Sequence, residues 1–279
     1  MNSMRSLAVW TCGAIISIYG SAQAGQLGAT RLIFNEGEKD ASIDFINTTD
    51  RCVGLAVWTS DRSITDKARK LDPTAERTPI VLKQPPKSIV GPRATQSIRL
   101  SYEGEFPRAV EALYWFTAYE VTLPPDKCKV ANRSLADADA EVEKALADRA
   151  QAAAHNNGAI TAGLEIAVAT HIKVLVRPKE LKAKSSYAEA SKRLSWVVSQ
   201  QQGEAVLVAS NPSNYHIHLA VVSFNGKELS SDNGVMGLTV TPQGHISFPL
   251  EGVPRAKSDK VVAKIVNDYG GKTEEQWTL

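Results

Sequence analysis

The 279-residue chain is long enough for one or two globular domains, and its 32 basic and 30 acidic residues leave a formal charge of only +2. The basic residues are scattered among acids and form no stripe of the kind that phosphate neutralisation requires, which excludes nucleic acid as a partner class. Many short Val-, Ile- and Thr-rich runs separated by turn residues favour a β-sandwich architecture over a helical or alternating α/β one.

Residues 1–24 read as a secretory leader. Arg5 is the only charge ahead of an apolar stretch over 7–19, and Ser-Ala-Gln-Ala at 21–24 supplies a small-x-small site, so cleavage is expected after Ala24. The stretch is too short for a spanning helix and no later segment approaches one, so membrane insertion is not expected. Loss of Arg5 leaves the mature chain one positive charge from neutrality.

Period-two runs then predict strands at 31–34, 41–47, 53–59, 80–83, 95–101, 112–121 and 163–176. Ile43 and Phe45 alternate with Ser42 and Asp44, and Ile98 and Leu100 with Ser97 and Arg99, so each strand has one buried face. Pro85-Pro86 and Gly91-Pro92 break the middle of this half into turns, where an edge or corner is expected in place of a central strand. Cleavage of the leader would discard Cys12, leaving Cys52 and Cys128 as an even pair in an oxidising compartment. One disulfide between them is expected on parity and compartment. It would fix the base of the excursion that follows and contribute ~2–4 kcal/mol.

That excursion, about 126–162, is rich in Ala, Asp and Glu, with Ser134 placed as an N-cap and Asp137 three residues on. Leu135, Val142 and Leu146 give a thin apolar stripe, and Asn156-Asn157-Gly158 supplies a stop. The insertion is therefore expected to be partly helical. It either lies on the sandwich as a small helix or stays mobile until a partner covers it.

The next strand is the longest. Leu164, Ile166 and Val168 fall on one face and Glu165, Ala167 and Ala169 on the other. Left unpaired, such a strand offers another chain its backbone donors and acceptors together with an apolar row. Arg177-Pro178-Lys179 ends it and marks an interdomain joint. Strands at 194–200, 206–211, 216–224, 237–241, 244–250 and 261–267 then predict a second sandwich or small barrel. The expected organisation is a leader over 1–24, a first domain over 25–178 that holds the insertion, and a second over 179–279.

Catalytic readings find little support. Gly271-Lys272-Thr273 resembles the tail of a phosphate loop, but Val266 stands where its first glycine is required. His216 and His218 fall two apart on a strand without a third ligand at metal-binding spacing, so they read as solvated strand histidines. Neither a Gly-x-Ser-x-Gly elbow nor a His-Glu-x-x-His pair occurs. No catalytic residue, metal or cofactor is expected.

Several segments in order resemble the periplasmic chaperones of the chaperone-usher pathway. They are Ala29-Thr-Arg-Leu-Ile-Phe-Asn-Glu-Gly, the proline-containing stretch over 85–100, Glu111-Ala-Leu-Tyr-Trp-Phe, Thr170-His-Ile-Lys-Val-Leu-Val-Arg-Pro and Asn267-Asp-Tyr-Gly-Gly. The excursion before the long strand is much longer than in short-loop members and resembles a long-loop or divergent subgroup. The resemblance implies an all-β chain of two immunoglobulin-like domains set at an angle, working in the periplasm. It also implies that the long strand is lent to pilus subunits, which are then delivered to an outer-membrane usher. Leu164, Ile166 and Val168 would be the donor row, with Ile160 and Ala162 as an extension. Arg31 and Lys173 would anchor the subunit's terminal carboxylate, and Glu111, Arg177 and Asp268 would form an interdomain network. Lys173 lies on the opposite parity from Leu164, so a twist or bulge is expected to turn it toward the cleft. Two free copies could also cap each other's exposed strand. A secreted β-sandwich adhesin or pilus structural subunit is the alternative reading.

Overall fold

The computed structural model describes residues 25–61, 78–124, 128, 140, 142, 144, 167–181, 184–229, 238–253 and 256–279. The leader and the donor-row positions Ile160, Ala162, Leu164 and Ile166 lie outside them.

The first half runs through β1 (Gln26–Leu27), β2 (Arg31–Asn35), β3 (Asp40–Ile46), β4 (Val53–Ser60), β5 (Ile80–Leu82), β6 (Lys87–Val90), β7 (Thr95–Tyr102), β8 (Ala112–Thr122) and β9 (Ala167–Arg177). One sheet has the order β1-β3-β7-β5 and the other β2-β9-β8-β4-β6. Alternation explains why they face each other: Ile43, Phe45, Ile98 and Leu100 from the first meet Phe34, Leu55, Phe116 and Val174 from the second in one core. The turn region that contains the prolines yields β6, an edge strand on β4. At its open side a missing N–H costs little.

Cys52 and Cys128 are disulfide-bonded, with Cα atoms 5.4 Å apart. Of the insertion, Cys128, Ala140, Val142 and Lys144 are described, all helical, and Val142 is fully buried. It lies over Gly54, where a Cβ would stand 3.2 Å from Val142 Cγ2 and 3.0 Å from Val121 Cγ2. Glycine there lets the insertion touch the sheet.

A 3-10 turn (Lys179–Leu181) leads to α1 (Lys184–Lys192) and then β10 (Ser195–Gln201), β11 (Glu204–Ser210), β12 (Ile217–Phe224), β13 (Lys227–Leu229), β14 (Leu238–Val240), β15 (His245–Pro249), β16 (Lys260–Val266) and β17 (Lys272–Thr278). The sheet β10-β11-β15 packs on β13-β12-β16-β17, with β14 also paired to β12. Leu207, Ile217, Leu219, Phe224, Phe248 and Val261 fill this second core.

The 3-10 turn, α1, β13 and β17 were not expected. α1 buries Tyr187, Ala190 and Ser191 among its described side chains, and its two buried apolar residues are too sparse to show a helical period. β17, Lys-Thr-Glu-Glu-Gln-Trp-Thr, is an edge strand that β16 pairs along its whole length while its side chains stay largely exposed, so it carries no apolar row to read.

Candidate functional site

β9 is the strand on which the two halves of the molecule meet. Its antiparallel ladder with β8 runs unbroken from Val121↔Ala167 to Ala112↔Val176. On its other edge, β2 lies parallel and pairs only with residues from Lys173 to Arg177, beginning at Arg31↔Lys173. Over Ala167 to Ile172 no described strand occupies that second edge. Burial follows the same division. Residues 167–171 are half-buried, whereas 172–177 are all buried.

The even row of β9 belongs to the first core through Ile172, Val174 and Val176, and Val168 continues that row into the half-buried part. The odd row carries Lys173, Leu175 and Arg177 on the opposite face, against the second half of the chain. Of the twist or bulge expected at Lys173, no bulge occurs, since the ladder has no register shift, and simple alternation places Lys173 on the odd face, where it meets His218 and Thr239.

Arg177 closes the joint. Its Nη1 and Nη2 donate to the two oxygens of Asp268 at 2.7 and 2.8 Å, and its Nε donates to the fully buried Glu111. The guanidinium also lies 5.4 Å from the Tyr187 ring centroid and 5.2 Å from that of Tyr215. Burial opposes its charge, but Asp268 and Glu111 outweigh that and hold it firmly protonated. Glu111 accepts from the His216 backbone N–H at 3.0 Å and sits 3.2 Å from His216 Nδ1, while its own N–H donates to the Asn214 carbonyl at 2.9 Å. Asp268 stands in a tight turn in which Asn267 Oδ1 accepts from the Tyr269 and Gly271 N–H groups. Gly270, at φ +81°, lies against Thr30, where a side chain would collide with its hydroxyl. One arginine is thus gripped by carboxylates from both halves.

One turn of pleat away, Arg31 and Lys173 stand side by side, 9% and 8% exposed. Lys173 Nζ donates to Thr239 Oγ1 at 2.8 Å and to His218 Nδ1 at 3.0 Å, both from the second half, and lies 5.6 Å from the Trp115 ring centroid. Burial and then the charge of Arg31 lower its pKa to about 8. Burial, with Lys173 and Arg31 adding to it, holds His218 well below the ordinary imidazole range, so the ring is neutral and its Nδ1 can accept. Arg31 Nε and Nη1 and His218 Nε2 are buried with no hydrogen-bond partner among the described residues. Two neighbouring cations and three unanswered nitrogens form a socket for an anion: buried donors without acceptors are costly, and a carboxylate would answer them.

His216 and His218 are buried, not solvated as their spacing suggested. Their alternation with Ile217 and Leu219 looks like an ordinary half-exposed strand, but the other half of the molecule covers the polar row. His218, Thr239, Trp115, Tyr187 and Tyr215 were not singled out in the sequence as site residues. Trp115 had one signal, its place in the segment Glu111-Ala-Leu-Tyr-Trp-Phe, and the ladder sets it directly opposite Lys173.

Comparison with known proteins agrees with this geometry. Residues 25–139 match the family described as pili and flagellar-assembly chaperone, PapD N-terminal domain, and residues 189–277 match pili assembly chaperone PapD, C-terminal domain. The chain is 27% identical over 254 residues to the probable fimbrial chaperone YadV of Escherichia coli K12, covering 89% of this chain and 87% of that one. It is 25% identical over 286 residues to the chaperone protein caf1M of Yersinia pestis, covering 97% and 95%. The fold is similar to that of the Salmonella enterica SafB chaperone, solved in complex with the SafA pilin, at a TM-score of 0.64 and 19% identity over 93% of this chain and 98% of that one. The first match covers β1 to β8 of the first sandwich and the second covers β10 to β17 of the second, with β9 and Arg177 between them. The chain belongs to the chaperone-usher pilus-assembly chaperones, a family of two immunoglobulin-like domains that is not enzymatic.

Proposed function

We propose that this chaperone works in the periplasm, captures pilus subunits by lending them the outer half of β9, and delivers them to an outer-membrane usher. The observation that carries the reading is one strand with an open edge at one end and a buried cation pair at the other. A solved relative in complex with a pilin supports the partner class.

A subunit lacking one strand exposes an apolar groove and an unpaired edge, both routes to aggregation. Val168, with Leu164 and Ile166 ahead of it, would fill the groove, each side chain gaining ~1.5–3 kcal/mol gross before ordering costs. Backbone pairing along the free edge would satisfy the subunit's strand. Its terminal carboxylate would enter the socket, where Arg31 can bind with two parallel donors and Lys173 adds a compact charge. That fixes the register of the added strand. Glu111, Arg177 and Asp268 would hold the domains, 25–178 and 179–279, at the angle that keeps the socket open. A buried ion network suits this because it specifies one arrangement even where it adds little net stability.

Coexpression with a pilin from the same assembly system tests the reading. A soluble one-to-one complex is expected, and Arg31→Ala combined with Lys173→Ala should abolish it while the chaperone stays folded. Undiminished complex from the double variant would rule out the anchor.

A further inference from the structure

Glu120 is a second buried charge that the capture site does not use. It lies on β8 in the row that points into the first core, two residues beyond Ala118 and four beyond Phe116, and is 7% exposed. Its ladder neighbours are Leu55 on β4 and Val168 on β9, neither of which can offset a charge. Among the described residues its carboxylate has a single hydrogen-bond donor, the backbone nitrogen of Gly25, 2.9 Å from Oε1 and 2.7 Å from Oε2.

Gly25 is the residue that cleavage after Ala24 would make the first of the mature chain. Hydrolysis adds water across the Ala24–Gly25 peptide bond, leaving a carboxylate on the leader and an amine on Gly25 that takes up a proton. A peptide N–H has one proton to share between the two oxygens facing it, whereas an ammonium has three. Stereochemistry selects the same residue: a Cβ at position 25 would collide with the Phe45 ring and with the Glu120 carboxylate, so only glycine fits between them.

We infer that the α-ammonium released at Gly25 by leader removal is the counter-ion of buried Glu120, so that processing completes the end of the first core beside the outer half of β9. The chain then has a built-in distinction between precursor and mature forms. In the precursor the carboxylate has only one amide proton, and in the mature chain it has a full charge partner. A cut one residue later would remove the nitrogen altogether.

The inference uses the export reading only for the position of the cut, and Edman sequencing of the chain secreted with its own leader checks that separately. A first residue other than glycine 25 would overturn both. The decisive comparison uses the full mature chain released from a removable fusion, beginning either at Gly25 or at a retained Ala24. The retained residue should lower Tm by about 2–4 °C or more, and Glu120→Gln should abolish that difference. Equal Tm values for the two chains would overturn the inference while leaving the capture proposal intact. Acylation of the terminal amine at pH 7 supplies a readout that does not depend on the Glu120 variant folding. The Gly25 amine should react about tenfold or more slowly than the retained Ala24 amine, because pairing raises its pKa above the usual 7.7–8.0. Equal rates would count against the ion pair.

Discussion

The two halves of β9 share one strand, one antiparallel neighbour and one alternating pattern, yet only the inner half is finished. Val168 and Val174 are the same residue in the same row, but Val174 is fully buried while Val168 is half-exposed. The difference lies in what surrounds them. β2 closes the second edge from Lys173 onward and the other domain bonds Lys173 on the odd face, whereas no described strand closes that edge over Ala167 to Ile172. Side-chain pattern makes a strand, and edge partners decide whether it is a core element or an offer to another chain.

The strongest way to break that comparison is to place one charge in each half. Val174→Asp should cost ~3 kcal/mol or more, or prevent folding, because it leaves an unpaired charge in the core. Val168→Lys, which sets a cation and not a second carboxylate opposite Glu120, should leave Tm within the small range of surface changes but weaken subunit capture roughly tenfold or more. Equal Tm losses would erase the distinction between the halves. Thermal unfolding and complex recovery, measured on both variants, decide it.

Next in size is the socket. Arg31→Ala with Lys173→Ala should lower affinity for a subunit about 100-fold or more, since each charge-assisted bond is worth ~1.5–3 kcal/mol. Stability should fall by less than affinity, because among the described residues Arg31 Nε and Nη1 have no partner and Lys173 bonds only the neutral His218 and Thr239. A stability loss matching the affinity loss would make them structural cations.

pH gives a smaller effect. A carboxylate favours protonated Lys173, so binding raises its pKa, and affinity is lost as pH rises through the free-state value of about 8. From pH 7 to pH 9 the affinity should fall about tenfold, and Lys173→Arg should flatten the profile. An unchanged affinity would remove the ammonium from the contact. The mildest effect belongs to His218. Its folded pKa lies below its unfolded value, so the stability it contributes is complete above about pH 6.5 and declines as pH falls below that. Thermal scans at pH 7 and pH 5 should show a smaller acid loss in His218→Asn than in the parent chain.

Much of the fold was legible because period-two alternation is a direct consequence of one buried face. Ile43, Phe45, Ile98 and Leu100 show this where their strands form the first core. β17 escaped because an exposed edge strand needs no apolar row, and α1 escaped because two buried apolar residues do not make a period. Resemblance picked out Arg31, Lys173, Glu111, Arg177 and Asp268, and the structure brings them together at the joint through long-range pairing. Parallel placement of β2 against β9, which sets Arg31 beside Lys173, joins residues far apart in the chain and leaves no local trace. For the same reason the sequence presented His218 as solvated and asked for a twist or bulge at Lys173. Both errors came from not knowing which surface the second domain covers.

Backbone hydrogen exchange of the free chaperone and of its complex with a pilin tests the central claim most directly. Within the outer half, 167–172, the amides that face the open edge should exchange readily in the free protein and become protected in the complex, while those bonded to β8 and those of 173–177 stay protected in both. Equal protection of the outer half with and without the subunit would contradict strand lending.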